Sequence, residues 1–417
     1  MCVRALDEVS LGSKQITIKG LLNDLFSPAS CLAIFVWASA FKAMLMEYIP
    51  IDFTALLGGI LILSIGREVL INRRCFRVSL PFCLSYGMYV GSLLLSLTYT
   101  TAPLDVAKLK LLRLLVVDGL AVATALLLIT DAEKLAVFVK AQIVIGLVLS
   151  LLAIASSVPG QWSLRGVGGA TYITDGRAIG TALCLFLGMF GFRKVHQQVI
   201  ALILVVGLVL LSARGPIIAA FMSCVLFMLY QVKNSRKLSL PVLIGLVAGA
   251  YVLILLDSRG YFFTIRLRLA SLFATTEDAS LSARMYFAKS ASEMFLQKPA
   301  FGWGLSSFPF YAGCENVEEG PHNLILEFLC ELGIVGVFAF VMMLIISIYR
   351  LHVIRKKAFR PVVEGLWWAF VFWIVTIPTL GLRSARPVFT LLAVINAPLT
   401  HNLEEDRHRI HDHVRKQ

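Results

Sequence analysis

Residues 321–349 read PHNLILEFLCELGIVGVFAFVMMLIISIY. Proline is tolerated in the first turn of a helix, where its missing N–H costs nothing. The apolar run behind it exceeds the ~20 residues that a membrane span needs. The stretch therefore reads as one continuous helix that enters lipid from a water boundary at His322. Asn323, Glu327 and Glu331 recur every four residues and so share one face. At about 1.5 Å per residue that face reaches roughly 12 Å into the bilayer. Carboxylates at such depth are expensive unless they are paired or line a wet cavity, which marks the face as functional. The alternative for Glu331 is structural pairing to Lys110 or Arg113, and for His322 a helix-capping hydrogen bond.

The surrounding chain is written in the same way. Of its 417 residues 58% are hydrophobic and 15% charged, whereas an ordinary soluble chain carries about a quarter charged residues. Apolar runs fall near residues 29–49, 51–65, 78–99, 109–129, 135–158 and 178–192. Six more fall near 199–211, 216–230, 238–256, 323–349, 362–382 and 387–399. The expected fold is all-α, a polytopic integral membrane protein of about 12 transmembrane helices. Those spans use roughly 240 residues and leave no room for a separate soluble domain.

Alternate connections are basic: Arg67 with Arg73, Arg74 and Arg77; Arg193 and Lys194; Lys233, Arg236 and Lys237; then Arg350, Arg355, Lys356, Lys357 and Arg360. Lysine and arginine gather on the cytoplasmic side, so the net charge of +13 reports topology rather than nucleic-acid binding. Residues 1–28 are expected to be a retained cytoplasmic tail rather than a cleaved signal. Residues 29–256 then carry helices 1–9, 257–321 one large outer loop, 322–400 helices 10–12, and 401–417 a second cytoplasmic tail. A loop of that length far exceeds the usual ~12–15 residues and is expected to be functional.

The eight cysteines contain no CxxC pair, and His401, His408, His411 and His413 sit in a charged, solvated tail. Neither pattern indicates a disulfide framework or a metal site. No Walker A loop or Rossmann glycine fingerprint occurs, which argues against ATP hydrolysis or a soluble nucleotide-sugar site. Lys42, Asp118 and Lys140 are further charges within apolar runs.

Outer loops should be poor in positive charge, yet these hold Arg165, Arg177, Arg214, Arg259, Arg266, Arg268, Arg284, Arg383 and Arg386 with few lysines. Guanidinium is a planar fork of donors that grips phosphate oxygens bidentately, so the bias points to a phosphorylated ligand. Scattered contacts to lipid headgroups or loop carboxylates are the alternative. Arg214 lies in the tight turn Leu211-Ser212-Ala213-Arg214-Gly215-Pro216 between two spans, which holds it at the membrane boundary with little freedom, snorkelling to the interface being the alternative. Within the long loop, Met285, Ala288, Ala291, Ser292 and Phe295 repeat at helical spacing and predict an amphipathic helix over 282–296, with Arg284 near its start. Such a helix would serve as a lid over the bundle or as an interfacial anchor.

Arg214-Gly215 at a span junction is followed by Arg284-Met285-Tyr286 before a Pro299-Ala300-Phe301-Gly302-Trp303-Gly304 turn. PHNLILEF at 321–328 and ELGIVG at 331–336 come next. In this order they resemble the bacterial O-antigen ligase and polymerase superfamily. The resemblance is specific over 297–336, looser at 165–181 and 213–216, and hydropathic elsewhere. It implies a glycosyltransferase C-like inner-membrane protein with one large periplasmic loop, transferring a whole oligosaccharide from undecaprenyl diphosphate to an acceptor. No metal, nucleotide or other cofactor is implied. Arg214, Arg284 and His322 fall on the family's catalytic positions, the arginines on the diphosphate and the histidine as general base. Arg165, Arg177, Asn323 and Glu331 are the expected substrate-binding residues, although residues 165–177 depart from the asparagine-containing form common in the family. The acceptor is a second lipid-linked repeat in a polymerase of exopolysaccharide or O-antigen, the favoured reading, or lipid A-core in a ligase. Membrane lipids, flippase and chain-length regulator proteins are the further partners implied. A lipid-linked sugar flippase or transporter is a third reading, disfavoured by the absence of an internal repeat.

Overall fold

The computed structural model of the protein describes residues 27–41, 52–70, 79–157, 171–192, 194–235, 251, 254–261, 279–357 and 361–398. It is an all-α polytopic membrane protein. Helix α1 (Pro28–Val36) starts on its proline, and the Ser27 hydroxyl caps it by accepting from the Ser30 N–H at 3.2 Å. Next come α2 (Phe53–Leu70), α3 (Leu80–Ser96) and α4 (Leu104–Leu128), the last passing through a π-helical turn at Leu114–Asp118. Asp131 caps α5 (Ala132–Ser156) by accepting from the Lys134 N–H at 2.8 Å, and Thr171 caps α6 (Tyr172–Phe190). The chain continues through α7 (Val195–Leu210), α8 (Arg214–Ser235), α9 (Ala279–Gln297), the short α10 (Ser307–Tyr311), α11 (Leu324–Lys357), α12 (Pro361–Thr376) and α13 (Arg386–Asn396).

Seven of these helices (α2, α4, α5, α6, α8, α11 and α12) are long and apolar enough to cross a membrane, and α3, α7 and α13 are shorter apolar helices. The run expected near 238–256 falls almost wholly outside the described residues, as do Lys42 and both tails. Helix α6 is central, packing along α12 and against α5, α7 and α8. A Cβ on Gly180 would lie 2.5 Å from the Phe372 ring, and one on Gly188 would lie 2.5 Å from the Glu364 carbonyl oxygen. Missing side chains thus let α6 and α12 meet backbone to ring and backbone to backbone, the usual way helices pack where lipid supplies no hydrophobic drive.

The expected continuous helix over 323–349 is corrected: α11 breaks at Gly333, whose φ of 65° and ψ of −161° are not helical. The 299–304 turn threads into the break and satisfies the backbone groups it frees. Trp303 N–H donates to the Cys330 carbonyl and Gly304 N–H to the Glu331 carbonyl, both at 2.9 Å, while the Ile334 N–H donates to the Pro299 carbonyl at 2.9 Å. Non-helical backbone is tolerated near a membrane when buried in protein like this. Residues 334–357 alone extend about 36 Å, enough to span, so the segment before the break need not enter the hydrocarbon.

Four turn regions meet at one end of the bundle. The Thr100 hydroxyl after α3 donates to the Leu305 carbonyl at 2.7 Å. Gly176 in α6 lies against Ala213 and Pro216, and Gly215 against Thr379. The Leu382 N–H donates to the Glu327 carboxylate at 2.7 Å. At the opposite end of α11, Arg355 pairs with Glu364 at 2.5 Å.

A candidate active site at one end of the bundle

The site begins with Arg177, set by α6 in the crowded ring of turns. Arg177 is 6% exposed, and its guanidinium donates to the Thr379 carbonyl. Arg284, exposed in the second turn of α9, comes close enough for the two positive charges to repel. Arg214 opens α8 after a turn in which Ser212 adopts a φ of 55°. That turn is fixed from two sides. A Cβ on Gly176 would lie 3.0 Å from the Ala213 Cβ, and one on Gly215 would lie 3.0 Å from the Thr379 hydroxyl. Gly176, next to Arg177, thus packs on the two residues that flank Arg214-Gly215, and Thr379 touches both Arg177 and Gly215. Like charges packed at a low-dielectric boundary favour an anion between them, and guanidinium suits phosphate. Arg165 lies outside the described residues.

His322 lies beside α9, the helix that carries Arg284. Its φ of 51° places it in the left-handed region, and its Nε2 lies 2.7 Å from Glu319 Oε1. The imidazole is half exposed and tilts against the Phe287 ring at 6.3 Å between centroids, one helical turn along α9 from Arg284. The capping role open to His322 belongs to Asn323, whose side-chain oxygen accepts from the Ile325 and Leu326 N–H groups at 3.1 and 3.2 Å. That engages the side-chain oxygen of Asn323, which had been expected to bind substrate. Glu319, read from sequence only as one of the loop carboxylates open to the arginines, was not matched to His322. A single i,i+3 pair in a loop produces no periodic signal.

Helix α9 extends slightly beyond the expected 282–296, but its buried face differs. Ser290, Ala291 and Met294 are buried and Phe287 packs beside them, while Met285 is 67% exposed and Ser292 is exposed. The Phe287, Ala291, Met294 stripe is itself at i, i+4, i+7 spacing and turns toward α11. Both stripes contain Ala291, so spacing alone did not choose between them.

Beneath the histidine, the carboxylates of α11 are paired. Lys110 on α4 lies 2.8 Å from Glu327 Oε1 and 2.7 Å from Glu331 Oε2, with all three side chains buried. Glu331, also expected to bind substrate, is thus engaged by the alternative partner named from sequence. Arg113 does not take part. Its charge acts on Asp118 and Arg386, the latter lying 3.5 Å from Asp118 Oδ1. Arg383 pairs with Glu318 at 2.5 Å. Among the described residues no group of three or more His, Cys, Asp or Glu side chains converges as a metal site would require.

Residues 199–341 match the family model described as O-antigen ligase. The match runs from α7 into α11 and includes Arg214, Arg284, His322, Asn323 and Glu331, with Arg177 lying before it. No curated protein matches the chain. The all-helical polytopic fold and that match across the turns of the site make residues 199–341 of the chain similar to the O-antigen ligase family.

Proposed function

We propose that the protein transfers an oligosaccharide from undecaprenyl diphosphate to a glycan acceptor at the periplasmic face of the bacterial inner membrane. The acceptor in this reading is a second lipid-linked repeat, so the product is exopolysaccharide or O-antigen polymer. One observation carries it: Arg284 comes near enough to buried Arg177 for their charges to repel, beside the turn that bears Arg214. The periplasmic side is inferred from the basic residues Arg350, Arg355 and Lys356 at the other end of α11.

The bond from sugar C1 to the phosphate oxygen breaks, and a bond from C1 to the acceptor oxygen forms. The departing diphosphate gains negative charge, and Arg214, Arg284 and Arg177 stabilise it, since fixed donors at a low-dielectric boundary outperform water. His322 takes the proton of the acceptor hydroxyl, a contribution of about 100- to 10,000-fold when well placed. A ligase reading uses the same chemistry with lipid A-core as acceptor, and the description of the matched family favours it.

Purified protein in detergent, given lipid-linked repeats and no ion gradient, tests both. A ladder of longer glycans supports the polymerase. Transfer that occurs only after lipid A-core is added supports the ligase, and glycans left chemically unchanged in either mixture overturn the enzymatic reading.

A further inference from the structure

We infer that Glu319 is a positioning residue for His322, fixing the imidazole tautomer that takes the acceptor's proton; this rests on the glycosyl-transfer reading above. The contact is short, 2.7 Å from Nε2 to Glu319 Oε1. A carboxylate only accepts, so Nε2 carries the hydrogen and Nδ1 keeps its lone pair for the incoming hydroxyl. When Nδ1 takes the proton, the carboxylate faces the new positive charge.

A pair between partly exposed side chains is ordinarily worth little, and the case for more lies in how the carboxylate is held. The Glu319 N–H donates to the Asn316 carbonyl at 3.0 Å, and the Glu318 N–H donates to the Asn316 side chain at 3.0 Å. Glu318 in turn binds Arg383 from the α12–α13 turn. Gly320 sits on the buried Glu327 carboxylate, where a Cβ would come within 3.5 Å of Oε2. Asn323 then caps α11. Residues 316–323 are therefore tied at both ends and in the middle, and His322 is kept in a left-handed conformation that non-glycine residues seldom adopt. The groups around the imidazole are Glu319 on its own segment and Phe287 from α9, with Arg284 one turn further along that helix and the Glu318–Arg383 pair alongside. The carboxylate that approaches the ring is Glu319, whose Oε1 lies 2.7 Å from Nε2.

The test uses full-length protein in detergent with lipid-linked donor and acceptor. Glu319→Gln keeps an acceptor oxygen and loses the charge, while Glu319→Asp keeps the charge and shortens the reach. Both glutamine and alanine variants should lower kcat by about tenfold or more with KM for the donor nearly unchanged, and aspartate should recover part of the loss. Imidazole 15N spectra of wild-type protein should show His322 as the Nε2–H tautomer, with that preference lost in Glu319→Ala. A wild-type Nδ1–H tautomer overturns the inference whatever the variants' stability, as does full kcat in Glu319→Ala. If His322→Ala is inactive while every Glu319 variant is fully active, only the Glu319 assignment falls. If wild-type protein transfers no glycan, or His322→Ala is fully active, the glycosyl-transfer reading falls and takes this one with it.

Discussion

Lys110 and Glu331, 221 positions apart in the chain, meet as a buried ion pair at 2.7 Å. The same ammonium holds Glu327 at 2.8 Å, and Glu327 accepts the Leu382 N–H, so one lysine ties α4, the start of α11 and the α12–α13 turn. Removing one partner from a buried pair leaves uncompensated charge, which costs about 3–5 kcal/mol. Lys110→Met should therefore lower the melting temperature strongly in detergent, followed by intrinsic tryptophan fluorescence. Adding Glu331→Gln to that variant should recover part of the loss, because it removes one stranded carboxylate. A melting curve unchanged by Lys110→Met would show that the buried pair adds no stability.

Gly333 carries a second prediction. Its φ of 65° disfavours any side chain, and a Cβ would lie 2.4 Å from the Ala300 carbonyl oxygen. Gly333→Ala must either straighten α11 or expel the 299–304 turn from the break, and both leave the Cys330 and Glu331 carbonyls without the N–H donors of Trp303 and Gly304. The expected result is faster proteolysis in the 299–323 segment together with lost turnover. Gly87→Ala, at a position on α3 where an added Cβ meets nothing within 4 Å, should show neither effect.

These two networks mark where sequence reasoning stopped. Apolar runs and the Arg214 turn were legible, because hydropathy and turn chemistry are local. Lys110 was named as a partner for Glu331, since two charges at similar depth on neighbouring spans have few other ways to be tolerated. The break at Gly333 was not legible. GIVG at 333–336 is as apolar as the helix around it, and glycine is common in membrane helices, so hydropathy runs straight through. The donors that make the break affordable arrive from residues 299–304, a tertiary fact. Glu319 was hidden for a related reason: its aim depends on the turn built by Asn316, not on spacing.

The repulsion between Arg177 and Arg284 predicts that a polyanion stabilises the substrate-free protein. A ligand bound only by the folded state adds about 2.7 kcal/mol at a hundredfold excess over its Kd. Inorganic pyrophosphate should raise the melting temperature saturably, and chloride at matched ionic strength should do so far less. The combined Arg177→Gln and Arg284→Gln variant should lose the pyrophosphate effect. An equal shift in wild type and variant would place the anion elsewhere.

Arg214 gives the sharpest chemical test, because lysine separates charge from geometry. Arg214→Lys keeps a cation at the start of α8 and loses the planar fork that holds two oxygens at once. If the fork stabilises charge developing on the leaving diphosphate, turnover should fall by about 100- to 1,000-fold, as when one oxyanion donor is deleted. The fold should hardly notice, since Gly215 and Pro216 still set the turn against Thr379 and Gly176. Melting temperature should therefore stay near that of wild type while polymer amount and length collapse. Arg355→Lys, at the opposite end of the bundle beside Tyr230 and Trp367, serves as the control and should leave the glycan product intact. Wild-type polymer from Arg214→Lys would take Arg214 off the diphosphate, and leave only a point charge at that turn.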